Sequence, residues 1–183
     1  MADIFSSRRS IRRFQDKGID RLQLEQIFAA VQMSPSWGNM QCHELIVVQD
    51  RAVKEKLAAL LSKKNPATLC TQTAPVVIAV CGNPRKSGYY KETQVTRYSH
   101  WFLYDLGIVS QNICLKAWEL GIGSVIVGSF DHGAAEELLA VPAGVELVAL
   151  IPLGYPAHTP SAPARREIND FVHFDRFLQR PSP

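Results

Sequence analysis

The chain has 183 residues, the usual length of one domain, since domains run to roughly 100–200 residues. Hydrophobic residues make up 46% and charged residues 20%, a balance typical of a globular protein with one core and not of a disordered or fibrous chain. The formal net charge of +3 is too small for a protein that coats nucleic acid, because such binding neutralises many phosphates, but it permits a local anion site.

The composition also predicts a cytoplasmic protein without a membrane or nucleic-acid partner. No stretch approaches the roughly 20 apolar residues that a bilayer span needs, and the N-terminus lacks the apolar segment of a secretory signal. The cysteines form no CxxC pair and have no histidine at metal-ligand spacing; they are Cys42, Cys70, Cys81 and Cys114. We therefore expect reduced, buried thiols and no bound metal.

The first half of the chain predicts two helices and two strands. Apolar spacing after Asp20 indicates a helix that this residue caps together with Gln23 and that Pro35 ends; its buried face is Leu24, Ile27, Phe28 and Val31. Short β-branched runs predict strands at 44–49 and 75–82, with a helix over 51–61 between them. Residues 83–100 are polar without a period, which favours a lid or a mobile segment.

The second half predicts a long helix over 101–120, buried on more than one side and closed by Gly121. Strands are expected over 124–130 and 145–153, and Asp131 is placed to cap a short helix through Leu139 between them. Because no regular βαβ repeat occurs, the pattern favours an α+β fold over a doubly wound one. The Pro-rich segment 157–165 and the weakly amphipathic 168–178 read as an arm that lies across another surface.

The sharpest local feature is the run 8–13 (RRSIRR). Guanidiniums bind phosphate bidentately, and the serine adds a neutral donor. The pair Arg165 and Arg166 has the chemistry to complete a phosphate clamp from far along the chain. The alternative for the run is a solvated basic N-terminal arm or a generic polyanion patch, and the alternative for the pair is ordinary surface charge.

Two loops have the composition to face a ligand. The 35–41 loop (PSWGNMQ) offers amides and an aromatic ring to a heterocycle such as an isoalloxazine, and the alternative is a well-packed turn with Asn39 in a left-handed conformation. At 127–129 (VGS), the glycine lets a ligand approach the backbone, although Gly128 could equally mark a β-bulge.

Several enzyme classes lack their motifs in this chain. The segment 121–123 (GIG) lacks the third glycine of GxGxxG and follows a helix, which does not fit a Rossmann fingerprint. No Walker A, GxSxG or HExxH motif occurs. The five histidines are scattered without a triad partner, so a nucleophile-driven hydrolase fits poorly.

Taken in order, these features resemble the nitroreductase family of FMN-dependent NAD(P)H oxidoreductases. The matching pieces are Arg8-Arg9-Ser10-Ile11-Arg12 with Phe14, Pro35-Ser36-x-x-Asn39-x-Gln41, Asp105-Leu-Gly with Gln111-Asn112, Leu120-Gly121-Ile122-Gly123-Ser124, Gly128-Ser129-Phe130, Gly154-Tyr155-Pro156 and the later arginine pair. The resemblance implies one domain over 1–183, with a central, mostly antiparallel sheet flanked by helices. It also implies a homodimer with FMN at the subunit interface and a C-terminal arm, about 157–183, that extends across the partner.

The same resemblance assigns the cofactor contacts. Arg8 and Ser10 would hold the FMN phosphate with Arg165 or Arg166, and Arg12 would lie beside N1 and C2=O, where a cation stabilises the negative charge of the reduced ring. The backbone of 127–129 would face N5 and O4, and the 35–41 loop would reach the flavin from the other subunit. The full expected set is Arg8, Arg9, Ser10, Arg12, Pro35, Ser36, Trp37, Asn39, Gln41, Val127, Gly128, Ser129, Arg165 and Arg166.

The implied activity is ping-pong transfer of two electrons from NADH or NADPH to a nitroaromatic, a quinone or a similar small-molecule acceptor. Because flavin N5 carries the chemistry, no catalytic protein base is expected. The acceptor pocket would contain Tyr89, Tyr90, Tyr98 and Trp101, some of which have a packing role instead. A dimethylbenzimidazole synthase-like or dehalogenase-like enzyme on the same scaffold is an alternative, as is a flavin-binding redox sensor without significant turnover.

Overall fold

The computed structural model describes residues 3–177 and is built on a four-stranded antiparallel sheet. In spatial order the strands are β1 (His43–Val48), β2 (Val76–Gly82), β6 (Glu146–Gly154) and β5 (Gly123–Ser124). A separate hairpin pairs β3 (Tyr89–Tyr90) with β4 (Thr93–Gln94). Every residue of β2 is buried, so the sheet is covered on both faces.

The described residues form six α-helices. They are α1 (Ile4–Ser7), α2 (Arg21–Gln32), α3 (Arg51–Ala59), α4 (Thr68–Thr73), α5 (Phe102–Glu119) and α6 (His132–Leu138). Of these, α2 and α5 pack on one face of the sheet and α3, α4 and α6 on the other. Alternate residues of β2 join different cores: Ile78 packs in one cluster with side chains of α2 and α5, whereas Val77 packs in the other with side chains of α3, α4 and α6. The predicted α+β architecture with a central antiparallel sheet is confirmed.

The predicted helix boundaries rest on caps that the structure contains. The Asp20 carboxylate accepts a hydrogen bond from the Gln23 amide at 2.8 Å, and the Gln23 side chain accepts one from the Asp20 amide at 3.4 Å, which is the expected capping box of α2. Asp131 caps α6 by accepting from the Ala134 amide at 3.0 Å. Helix α5 gives way to Gly121, whose φ of 75° suits a glycine after a helix end.

The structure departs from the predicted elements at one strand and adds others that were not predicted. The predicted strand over 124–130 is reduced to Gly123–Ser124, after which Val127 bridges Leu150 alone. Further along the segment, Phe130 is bridged to Leu61 and not to β6. The 83–100 segment, which we expect to be a lid or a mobile segment, contains the β3–β4 hairpin. The short helices α1 and α4 were not predicted from the sequence.

The cysteines are all free and buried, as expected. Burial raises the pKa of the Cys70 and Cys81 thiols to about 11, so they are protonated at neutral pH. Within residues 3–177, no helix is both long and apolar enough to cross a membrane.

The N-terminal segment lies on a patch of bare backbone at the β5–β6 edge. Gly123 and Gly154 are partners across these strands. A Cβ on Gly123 would come within 2.6 Å of Ile11, and one on Gly154 within 2.6 Å of Phe14. The Ile11 amide donates to the Ser124 carbonyl at 2.9 Å and the Gln15 amide to the Tyr155 carbonyl at 2.8 Å. The glycine pair therefore creates the space in which the N-terminal segment is held.

We predict that Gly123→Ala lowers the free energy of unfolding by about 1–3 kcal/mol, because the new methyl group displaces the fully buried Ile11. The matched control is Gly18→Ala, whose added Cβ meets nothing within 4 Å. This variant should be neutral or slightly more stable, by up to about 1 kcal/mol. Urea unfolding of both variants measures the difference, and equal effects would contradict the packing argument.

Candidate basic cofactor site

The basic run 8–13 lies at the surface and is held there by one buried apolar side chain, that of Ile11. Ile11 is fully buried, whereas Arg12 and Arg13 are exposed and Arg8 and Ser10 are partly buried. The carbonyl of Arg13 accepts a hydrogen bond from the Ala157 amide at 2.9 Å. This bond brings the start of the C-terminal arm alongside the run, so that two segments far apart in sequence line one site.

A cavity of about 260 Å³ lies between the run and the arm. Its lining residues are Arg8, Arg9, Ser10, Arg12, Pro160, Ser161, Pro163 and Arg165. An adjoining cavity of about 300 Å³ shares Ser10, Arg12 and Pro160 with it and adds Arg13 and His158. None of these described lining residues is a carboxylate. Guanidiniums and hydroxyls without acidic neighbours are the donor set that a phosphate requires.

The arginines of this region differ in their hydrogen bonds. Arg9 donates to the carbonyls of Ser6 at 2.7 Å and Arg8 at 2.8 Å. Arg166 is turned toward its own arm, where it donates to the Asp170 carbonyl and lies 5.6 Å from the Phe171 ring centroid. Arg8, Arg12 and Arg165 line the basic cavity and take part in none of the ion pairs found among residues 3–177. The structure thus brings Arg165, not Arg166, to the N-terminal run.

The 35–41 loop is well ordered and lies away from these two cavities. It contains a short 3-10 turn, Trp37–Asn39, and positive φ at Gly38 (54°), Asn39 (55°) and Gln41 (47°). The left-handed conformation of Asn39 is the one that a well-packed turn predicts. The Ser36 hydroxyl accepts from the Gln41 amide at 2.9 Å and closes the loop. None of Pro35, Ser36, Trp37, Asn39 and Gln41 lines either basic cavity of its own chain.

A buried carboxylate, Asp105, fixes this loop to the rest of the protein. Asp105 is 1% exposed and lies near the start of α5. Both of its oxygens accept from the Trp37 amide, each at 3.2 Å, and one also accepts from the Ser87 hydroxyl. The Cys42 thiol lies 3.7 Å from the same oxygen. Sequence reasoning quoted Asp105 only as part of the family pattern and missed this role, because its partners are far apart in sequence.

The 127–129 segment exposes backbone beside open space. The amide and carbonyl of Val127 are both hydrogen-bonded to Leu150 at 2.9 Å, which fixes the near end of the segment. Gly128 and Ser129 are exposed, and a Cβ on Gly128 would meet nothing within 4 Å. The Ser129 carbonyl accepts from the Ser62 amide at 3.0 Å, which fixes the far end of the segment.

The four aromatic residues expected in an acceptor pocket do not converge. Tyr89 lines a cavity of about 480 Å³ that also contacts Met40 of the loop. Tyr90 and Tyr98 are each 63% exposed. Trp101 packs against Gly88, where an added Cβ would lie 2.9 Å from its side chain, so Trp101 has the packing role that we had allowed for.

Comparison with known proteins points to one family. The nitroreductase family model matches residues 5–69 and 69–155. A protein of Archaeoglobus fulgidus with the provisional name NADH dehydrogenase/NAD(P)H nitroreductase is 33% identical over 154 residues, or 82% of each chain. An FMN reductase [NAD(P)H] of Bacillus subtilis is 28% identical over 94% of this chain and 72% of its own. The crystal structure of a nitroreductase family protein from Clostridium novyi NT superposes with a TM-score of 0.75 at 29% identity, over 84% of this chain and 83% of that one.

Replacing Asp105 tests its positioning role. In Asp105→Asn the charge and one of the two acceptor oxygens are removed, so the hydrogen bond from the Trp37 amide is weakened by about 1.5 kcal/mol and this amide should exchange with solvent about tenfold faster. Native-state hydrogen exchange measures this, with Asp16→Asn at an exposed position as the control. Unchanged protection at Trp37 would show that the carboxylate does not hold the loop.

Proposed function

The chain belongs to the nitroreductase family, and from this premise we propose that it binds FMN and passes two electrons from NADH or NADPH to a nitroaromatic, quinone or similar acceptor. The observation that carries the proposal is the basic cavity between the run 8–13 and the arm, because its donor set suits the phosphate end of FMN. The name of the Bacillus subtilis relative, an FMN reductase that uses NAD(P)H, supports this cofactor and donor.

We assign the FMN phosphate to Arg8, Ser10 and Arg165. All three line the basic cavity, whose described lining contains no carboxylate, and neither arginine takes part in an ion pair found among residues 3–177. Arg9 would contribute less, since its guanidinium is already bonded to two carbonyls. Of the arginine pair, Arg165 is the member that cavity lining supports, and Arg166 would serve the arm.

We assign the edge of the flavin ring to Arg12 and to the exposed backbone of Gly128 and Ser129. Arg12 lines both basic cavities, which suits a residue that reaches from the phosphate end toward the ring. Its cation would stabilise the negative charge that the ring gains on reduction. Gly128 would let the ring approach the backbone, because it carries no side chain.

The bound FMN, held by Arg8, Ser10, Arg12 and Arg165, would supply the redox chemistry for two-electron transfer from NAD(P)H to the acceptor. The protein would then bind the flavin, orient the substrates beside it and adjust its reduction potential, and no general base is needed. Tyr89, which lines the cavity beside Met40, is the residue we assign to the acceptor side. We place the enzyme in the cytoplasm because its four cysteines are free thiols.

We also propose that a second copy of the chain completes the site. The 35–41 loop is rigidly held yet lines neither basic cavity of its own chain, so it would contact the flavin of the partner. The arm leaves large apolar side chains exposed, and a partner surface would bury them; they are Ile168, Phe171, Phe174 and Phe177. On this view 1–183 is one domain with an arm over 157–183, of which 178–183 lie outside the described residues.

Anaerobic mixing of the FMN-loaded protein with NADH or NADPH should bleach the flavin absorbance, because hydride transfer reduces the ring. Dithionite serves as the control for full reduction. Bleaching by dithionite but by neither nicotinamide would refute the oxidoreductase proposal and leave a flavin-binding sensor. A colourless protein that cannot be reconstituted with FMN would contradict the cofactor assignment itself.

Arg12→Ala should weaken binding of reduced FMN more than of oxidised FMN, because the cation compensates charge that appears on reduction. The midpoint potential should fall by about 30 mV, which corresponds to about 1.4 kcal/mol for a two-electron couple. Spectroelectrochemical titration gives the potential, and Arg51→Ala, on exposed α3 surface outside both cavities, is the control of equal charge change. An unchanged potential in Arg12→Ala would remove the role we assign to it.

A further inference from the structure

The cavity between the 35–41 loop and the β3–β4 hairpin, which we call the hairpin cavity, carries a charge pattern that the proposed reaction does not use. We propose that this cavity is a subsite for the anionic group of a substrate, either a phosphate of the nicotinamide dinucleotide or a carboxylate of the acceptor. The inference rests on the proposed function, since it assumes that substrates bind above a flavin near the 35–41 loop.

The lining of the hairpin cavity is dominated by cations. Its volume is about 480 Å³, and its lining residues are Met40, Arg85, Lys86, Tyr89, Lys91 and Glu92. The lining therefore contains three cationic side chains and one carboxylate. A concave site of one sign concentrates the field of its charges and attracts a ligand of the opposite sign.

These cations have no ion-pair partner among residues 3–177. The ion pairs in that part of the chain are Arg21–Glu25, Arg51–Glu55 and Lys116–Glu119, all within single helices. Arg85 lies 5.7 Å from the Tyr89 ring centroid and Lys91 5.5 Å from that of Tyr90. Contacts with ring faces leave the N–H donors able to bind an anion.

The backbone before the hairpin and the 35–41 loop are held by hydrogen bonds to the same buried carboxylate, Asp105. The Asn83 amide donates to the Cys42 carbonyl at 3.0 Å, and the Asn83 side chain accepts from the Arg85 amide at 2.8 Å. The Ser87 hydroxyl donates to Asp105, the carboxylate that also holds Trp37. A substrate lying beside Met40 would therefore meet the cations at a fixed distance.

The hairpin cavity and the basic cofactor cavity differ in their charged residues, and the difference suits a ligand that exchanges in each cycle. The cofactor cavity contains four arginines and no carboxylate, a set that suits a resident phosphate. The hairpin cavity contains two lysines, one arginine and Glu92. Lysine binds an anion as a hydrated point charge without the bidentate fork of arginine, and Glu92 weakens the attraction. Weaker binding suits a ligand that enters and leaves in each cycle.

The test measures the dissociation constant of the reducing substrate from the concentration dependence of flavin bleaching in stopped flow. Lys86→Gln and Lys91→Gln should each raise the constant for NADH or NADPH about two- to fivefold, as expected for one exposed ion pair. Glu92→Gln should lower it, because the repelling carboxylate is gone. Lys56→Gln, on an exposed position of α3, removes the same charge elsewhere and should change nothing. The uncharged donor 1-benzyl-1,4-dihydronicotinamide should respond to none of these variants.

A second arm identifies the source of the anion. Binding of 4-nitrobenzoate and of uncharged 4-nitrobenzyl alcohol to the oxidised protein is followed by the change in the flavin spectrum at equilibrium. Effects of the variants on the dinucleotides alone support a phosphate subsite, and effects on 4-nitrobenzoate alone support a carboxylate subsite. If every variant has the wild-type dissociation constant for each charged ligand, the proposal is overturned.

This design separates the subsite from the proposed function. If neither NADH nor NADPH bleaches the wild-type flavin while dithionite does, the proposed function fails. The equilibrium titration with 4-nitrobenzoate still decides the carboxylate form of the subsite in that case, and the same titration with NAD⁺ and NADP⁺ decides the phosphate form. If the wild-type protein is bleached and the lysine variants match it in both arms, the subsite alone fails.

Discussion

Ile11 and Phe14 can lie against the sheet only because Gly123 and Gly154, partners across β5 and β6, present no side chain there. With Ile11 held inward, its arginine neighbours are presented outward. The bond from the Ala157 amide to the Arg13 carbonyl then starts the C-terminal arm beside the same residues. The basic cavity between run and arm thus depends on two glycines that do not line it.

Asp105 has a similar role on the other side of the molecule. A buried carboxylate is costly unless donors surround it, and the Trp37 amide and the Ser87 hydroxyl supply them. Because those donors come from the 35–41 loop and from the segment before the hairpin, one charge holds two surface segments in a fixed relation. The hairpin cavity lies between these two segments. Its shape therefore follows from a residue that does not line it.

The basic cavity and the hairpin cavity differ in their charged residues, in line with the separate roles that we propose for them. Arginines dominate where a permanent phosphate is proposed, and lysines with a carboxylate dominate where an exchanging substrate is proposed. The rigid loop and the apolar arm are both left uncovered by their own chain. In a single copy the loop and the basic cavity do not meet, which is why a second copy is central to the proposed function.

The sequence by itself determined the features that depend on near neighbours. Asp20 with Gln23 marked the start of α2, Gly121 the end of α5, and β-branched runs the strands β1, β2 and β6, because caps and periodicity act over a few residues. It also supplied the arginine run and the buried thiols. Only the tertiary structure decided that β5 stops at Ser124, that residues 89–94 pair as a hairpin, and that Arg165, not Arg166, meets the run. These outcomes depend on partners distant in sequence, such as Leu61 for Phe130 and Asp105 for Ser87, and local composition carries no information about such partners.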